Sequence, residues 1–242
     1  MTAAEFPQDF HTTHWSIVTQ AADTASPGSL AALEKLCRAY WFPLYAYVRR
    51  RGHEVEEARD LTQGFFAVLL EKNYVADADT NRGRFRTFLL SALGHYLANE
   101  WNRAHAKKRG GGTARFSMDA LNAEERYRLE PADAASPERF YDRRWAEAVL
   151  ATVLAQLRRE FEDTGRGQRF DDLKAHLLGD AGALPYEELA ARMGIGLNGV
   201  RSVVHRLRKR FATLTRNEIA QTVTSPEEVE DEIRHLFQSL AE

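Results

Sequence analysis

The chain has one cysteine, Cys37, in 242 residues, so it can form no internal disulfide and no cysteine-rich zinc site. No run approaches the roughly 18 apolar residues that a membrane span needs. Met1 is followed by polar and acidic residues, not by a basic stretch and an apolar run. The expectation is a cytoplasmic protein without a membrane span. A Gly-rich phosphate loop, a nucleophile elbow and an HExxH helix are all missing. His11 and His14 have the spacing of a metal-binding pair, but no carboxylate pair or further histidine accompanies them. No metal, cofactor or catalytic residue is therefore expected, and the chain is not read as an enzyme. Alternating strand patterns and internal repeats are missing as well. The apolar fraction of 44% is ordinary for a folded protein and excludes wholesale disorder.

Charge is present in quantity and is segregated. The net value of −2 hides three blocks. Arg82 to Arg109 holds seven Arg or Lys against one acid, Glu100. Arg192 to Arg216 holds seven and no acid at all. Ser225 to Glu242 holds six acids and one arginine. Two basic blocks suit two contacts with a polyanion, and the acidic tail suits an exposed helix.

The periodicity is helical almost throughout, which predicts an all-α fold. Three Ser-Pro steps, Ser26-Pro27, Ser136-Pro137 and Ser225-Pro226, mark helix starts. Serine can cap a free backbone N–H, and proline at the first helical position gives up only a bond that would be unmade. Glu228 completes a capping box with Ser225. Leu30 to Arg51 reads as a long helix broken or kinked near Pro43. Val55 to Glu71 carries Ala58, Leu61, Phe65, Val68 and Leu69 on one face. Arg84 to about Ala106 places Phe85, Phe88, Leu89, Ala92, Leu93, Tyr96, Leu97 and Trp101 on a single stripe. Gly110-Gly111-Gly112 ends that pattern, and an Ala-, Asp-, Glu- and Pro-rich stretch follows. Helices resume with Glu138 to Glu162 and Asp171 to Leu178, then three more. The reading is two small helical domains, 1–109 and 138–242, joined by a flexible linker over 110–137.

Pro185 to Arg210 is the most informative stretch. Tyr186 to Met193 forms a short helix with Leu189, Ala190 and Met193 inward. Gly194-Ile195-Gly196 makes a turn pinned by Ile195. A second helix buries Val200, Val203, Val204, Leu207, Phe211 and Leu214. This is a helix-turn-helix. In such a motif the start of the second helix enters the major groove, so Asn198, Arg201, Ser202 and His205 would meet base edges. Arg206, Arg208, Lys209 and Arg210 would lie nearer phosphates, where each neutralised charge releases counterions.

With the first basic block added, the chain resembles bacterial RNA polymerase sigma factors of the extracytoplasmic-function type over Leu30 to Val223. Glu57 to Phe66 (Glu-Ala-Arg-Asp-Leu-Thr-Gln-Gly-Phe-Phe) is similar to the family's acidic segment Asp-Ala-Glu-Asp-Leu-x-Gln-Glu-x-Phe. The resemblance implies that Glu57, Asp60, Leu61, Gln63 and Phe66 dock on the clamp coiled coil of core RNA polymerase. Arg82 to Leu89 is similar to the family's strand-opening segment Phe-x-x-Trp-Leu, with Phe88 in place of Trp. Asn99 to Arg109 is similar to its basic helix end over the minus-ten element, and Leu184 to Arg210 to its minus-thirty-five reader. The implied minus-ten surface is Arg82, Arg84, Arg86, Asn99, Trp101, Asn102, Arg103, Lys107, Lys108 and Arg109. A cationic groove with aromatic groups can hold unstacked single-stranded DNA.

The acidic segment departs from the family with Arg59 and Gly64 where acids are usual. Thr62 between them is a candidate phosphorylation site for a serine/threonine kinase, since a phosphate adds about −1.5 to −2 of charge. The acidic segment Ser225 to Glu242 is the second departure. It could cover the basic reader, bind an anti-sigma regulator, or cap the domain with Val229, Ile233, Leu236, Phe237 and Leu240. The expected partners are core RNA polymerase and promoter DNA. The alternatives are a helix-turn-helix regulator acting without polymerase, with 1–109 as a dimer or sensor module, and a helical adaptor for a protein partner.

Overall fold

The computed structural model describes residues 14–23, 25–78, 84–106, 124–125, 127–128, 136–178, 182–223 and 225–241. Among them it is all-α, with ten α-helices and no strand. These are α1 (Trp15–Ala22), α2 (Ser29–Arg50), α3 (Val55–Glu71), α4 (Phe85–Ala106), α5 (Pro137–Glu162), α6 (Gly167–Leu173), α7 (Ala175–Leu178), α8 (Tyr186–Met193), α9 (Leu197–Ala220) and α10 (Pro226–Ala241). A 3₁₀ turn, Tyr74–Asp77, follows α3.

Local signals set some helix starts and not others. Ser136 caps α5, its hydroxyl accepting from the Arg139 N–H at 3.3 Å, with Pro137 as the first helical residue. Pro226 likewise opens α10. Ser26-Pro27 does not open α2. It forms a turn in which the Ser29 N–H donates to the Ser26 carbonyl, and α2 begins at Ser29 after Gly28. Pro43 does not break α2 either. It is buried inside an unbroken helix whose neighbours, Tyr40 to Val48, are all buried. The burial on every side offsets the single backbone bond that proline removes.

Two hydrophobic clusters form. The first joins α1 to α4, the first half of α5, Ile219 near the end of α9, and α10. Phe85 anchors it, edge-on to both Trp15 (6.2 Å) and Tyr40 (5.7 Å), contacts worth about 0.5–1.5 kcal/mol each beyond area burial. The second joins Val153 and Leu157 of α5 to Phe170, Leu173, Leu189, Val200, Val204, Leu207 and Leu214. The clusters do not divide at residue 138. Phe140, Tyr141, Trp145 and Val149 on the first half of α5 bury in the first cluster, and so do Val229 and Leu236 of α10. α5 is therefore rooted in both.

Most of the expected linker lies outside the described residues. Within it, Glu124 is buried against α2, accepting from the Tyr45 hydroxyl at 2.6 Å and from Arg49 Nε at 3.1 Å. Tyr127 meets the Tyr45 ring edge-on at 6.5 Å. At the other end of the first cluster, the Trp15 N–H donates to the Gln221 carbonyl at 3.0 Å, and His14 Nε2 lies 2.9 Å from Glu218 Oε1. Among the described residues no helix is long and apolar enough to cross a membrane.

Candidate nucleic-acid interface

The helix-turn-helix forms as its residues dictate. α8 ends where Gly194 takes a left-handed conformation (φ +63°), which a side chain would strain. The Ile195 N–H closes the cap by donating to the Ala190 carbonyl at 3.1 Å. A Cβ on Gly199 would touch the Ile195 side chain, so the turn packs tightly on the next helix. Val200, Val204, Leu207 and Leu214 turn inward at helical spacing. That leaves Asn198, Arg201, Ser202, His205, Arg206, Arg208 and Lys209 exposed. Arg201 Nη1 donates to Asn198 Oδ1 at 3.3 Å, which joins two of the expected base-reading side chains.

The outer cations divide into two kinds. Arg208 is held in the protein, its Nε and Nη2 donating to the His176 carbonyl at 3.2 and 3.0 Å. It caps the end of α7. Arg210 pairs with Glu160 through two bonds (2.5 and 2.9 Å), and that guanidinium holds the Glu160 carboxyl below its usual range. Arg206 stands on the rim of a cleft of about 280 Å³ with Arg166, Arg169 and Arg210, over a floor that includes Leu157, Phe161 and Leu173.

The first basic block is split by the fold. Arg82, Lys107, Lys108 and Arg109 lie outside the described residues. Asn99, Trp101, Asn102 and Arg103 are exposed together on the last turns of α4, Trp101 at 62%. Trp101 thus stands off the buried stripe, while Phe85, Leu89, Leu93 and Leu97 form it. Arg84 and Arg86 correct the expectation of a continuous cationic surface. Both are paired with Glu232 of α10, and Arg86 is only 4% exposed. The Arg86 guanidinium faces the interior, not a phosphate, while Arg84 is part-exposed with its charge engaged by Glu232.

Between α3 and α4 lies an open cleft of about 600 Å³. Phe65, Tyr74, Phe88 and Tyr96 supply aromatic walls, and Lys72, His95, Asn99 and Arg103 supply polar groups. Burial, then the Glu100 carboxylate, push the Tyr96 hydroxyl up to about 12, so it stays a neutral donor at physiological pH.

On α3, Glu57 and Asp60 are exposed, and Leu61 and Gln63 are half-buried. Phe66 is not on the surface. It is buried against Trp41 at 5.7 Å and packs edge-on to Phe65, because this helix buries a face wide enough to take both phenylalanines. Arg59 is paired within its own helix, to Glu56 at 2.8 Å. Thr62 is a second correction. It is 0% exposed and its hydroxyl donates to the Ala58 carbonyl at 2.7 Å, so no kinase can reach it in this fold.

Sequence reasoning missed Glu232, Asp142 and Trp145. A signal existed for Glu232, since position 232 shares the inward face of α10 with Val229 and Leu236. An acid on an apolar stripe needs a buried cation. Among the described residues no group of three or more His, Cys, Asp or Glu stands together as a metal site.

Two relatives carry the same kind of name. The ECF RNA polymerase sigma factor SigE of Mycolicibacterium smegmatis is 26% identical over 204 residues, covering 84% of this chain and 68% of its own length. The RNA polymerase sigma factor YlaC of Bacillus subtilis is 26% identical over 190 residues, covering 77% of this chain and 95% of its own length. The similarity supports an extracytoplasmic-function sigma factor. No family model matches the chain. No solved structure matches it.

Proposed function

We propose that the chain binds core RNA polymerase and promoter DNA and helps to open the promoter at the start of transcription. The observation that carries this reading is the outer face of α9, where Asn198, Arg201, Ser202 and His205 are exposed together behind a glycine turn. No acid interrupts that helix before Glu218. α9 reads the upstream element in the major groove, and Lys209 with Arg206 meets phosphates.

The downstream element falls to α4 and the cleft beside it. An aromatic cleft with neighbouring cations fits an unstacked base and its phosphate. Asn99, Trp101, Asn102 and Arg103 extend that surface. Glu57 and Asp60 on α3, with Leu61 and Gln63, face polymerase. Phe66 supports this face from beneath, and Arg84 and Arg86 are not part of the free DNA surface.

The test is transcription in vitro with core polymerase and a library of genomic fragments. Start sites that depend on the added chain are expected. Duplex binding without polymerase-dependent initiation would favour a regulator that acts alone.

A further inference from the structure

One part of the molecule is built unlike the rest. Glu232 is a carboxylate with no exposure, on the most acidic segment of the chain. It accepts from Arg86 Nη1 at 2.5 Å and Nη2 at 3.3 Å, and it is also paired with Arg84. The Arg86 guanidinium lies 3.8 Å from the Trp145 ring centroid, and its Nε is 3.7 Å from Asp142. The His235 ring lies 5.7 Å from the Trp145 ring, and its Nε2 is 3.4 Å from Asp142. Arg86 and Glu232 form a buried ion pair, and the part-exposed Arg84 and Asp142 at its edge balance the remaining charge.

This knot lies on a longer seam between α1–α4 and the rest of the chain. Along it, the Tyr47 hydroxyl donates to Glu138 at 2.9 Å and the Tyr141 hydroxyl donates to the Arg86 carbonyl at 3.3 Å. Arg50 stacks on Phe140 at 4.1 Å. An apolar patch ringed by ion pairs and side-chain hydrogen bonds has the composition of an interface between separable bodies.

Resting on the reading of α4 and α9 as the two promoter readers, we propose that α10 is an intramolecular clasp that holds the free protein closed. Glu232 occupies two arginines of the first basic block, and the docked α5 and α10 fix the second reader against the first. The closed body presents its two readers at one fixed separation. Elements about 25 base pairs apart are separated by about 85 Å at 3.4 Å per pair. α5, the helix that ties both clusters, is about 39 Å long. Binding to core polymerase and promoter opens the seam, and phosphates replace Glu232 on Arg84 and Arg86.

The test uses the full chain with spin labels on Lys35→Cys in α2 and Ala212→Cys in α9, both at exposed positions. Cys37 is buried, with its thiol pushed up to about 11, and stays unlabelled at neutral pH. The free chain is expected to give one short, narrow distance, and the complex with core polymerase and promoter a longer one. Glu232→Gln, which keeps the side-chain shape, is expected to lengthen and broaden the free distance and to tighten promoter-complex formation about 10-fold. An unchanged distance in the complex overturns the clasp and leaves the sigma-factor reading standing. So does a folded Glu232→Gln chain that binds no tighter. If Glu232→Gln fails to fold, the distance in the native complex decides. A labelled chain that binds neither polymerase nor promoter removes the functional reading, and the clasp with it.

Discussion

The Tyr96 hydroxyl on α4 lies over Gly64 on α3, at a point where no Cβ would fit. The glycine that replaces the family's usual acid thus has a packing reason, and charge is a secondary matter at this position. Gly64→Ala gains about 1 kcal/mol of helix propensity but overpacks against Tyr96, which costs about 1–3 kcal/mol. A net loss of about 1 kcal/mol is expected in urea denaturation. In a Tyr96→Phe background the clash is relieved and the same change is expected to stabilise. A double-mutant cycle reads the coupling directly.

Thr62 fills a place fully shielded from water. Thr62→Val keeps the shape and removes only one hydroxyl, so it is expected to shift stability by less than about 1 kcal/mol. Thr62→Glu buries a carboxylate with no cation provided for it and is expected to cost at least about 3 kcal/mol. Thermal melts of the two variants check this. A folded, normally stable Thr62→Glu chain would contradict the burial.

The exposed face of α9 divides into residues held by the protein and residues free to meet DNA. Arg201→Ala is expected to cost about 1–3 kcal/mol on the preferred upstream sequence and little on others. Lys209→Ala is expected to weaken all sequences alike and to lower the salt slope by about 0.9. Arg208→Ala differs from both, because it uncaps α7 and lowers stability before it lowers affinity. Fluorescence anisotropy over a salt series, beside thermal melts, separates the three.

Glu124 ties the segment before α5 to α2. Burial opposes its charge, but bonds from Arg49 and Tyr45 outweigh that and hold its pKa below the ordinary 4.5. The stabilisation is complete above the ordinary value and is lost as pH falls through the depressed one. Glu124→Gln is expected to cost about 1–3 kcal/mol at pH 7. That difference should vanish in melts taken well below pH 4. A gap that persists in acid would show that the carboxylate charge is not what matters.

Much of the fold was legible in the sequence because it is local. Periodicity located α3, α4 and α8 to within a residue, and the Ser136-Pro137 step marked α5, since a cap and its partner lie within one turn. The helix-turn-helix was legible for the same reason, in Gly194 and the inward valines. What could not be read was pairing across the chain. Arg86 and Glu232 stand 146 residues apart, and no local pattern says that one buries the other. Arg86 therefore looked like a free cation. Phe66 misled differently: a docking motif places it outward, while Trp41 of another helix claims it. Pro43 looked like a break because its surroundings, buried on all sides, are invisible to a count of breakers.

α5 has no glycine within it and no proline after Pro137, so it transmits motion as a rod. Its first half sits beside α2 and its second half packs against α8 and α9. A tilt of roughly 10° at the docked end of a rod of about 39 Å moves the far end about 7 Å, close to two base-pair steps at 3.4 Å each. Small repacking around Phe140 and Trp145 is thereby magnified at α9. Substitutions in the sockets of α5 should therefore shift the separation of α2 and α9 in the closed free chain and leave the preferred base sequence unchanged.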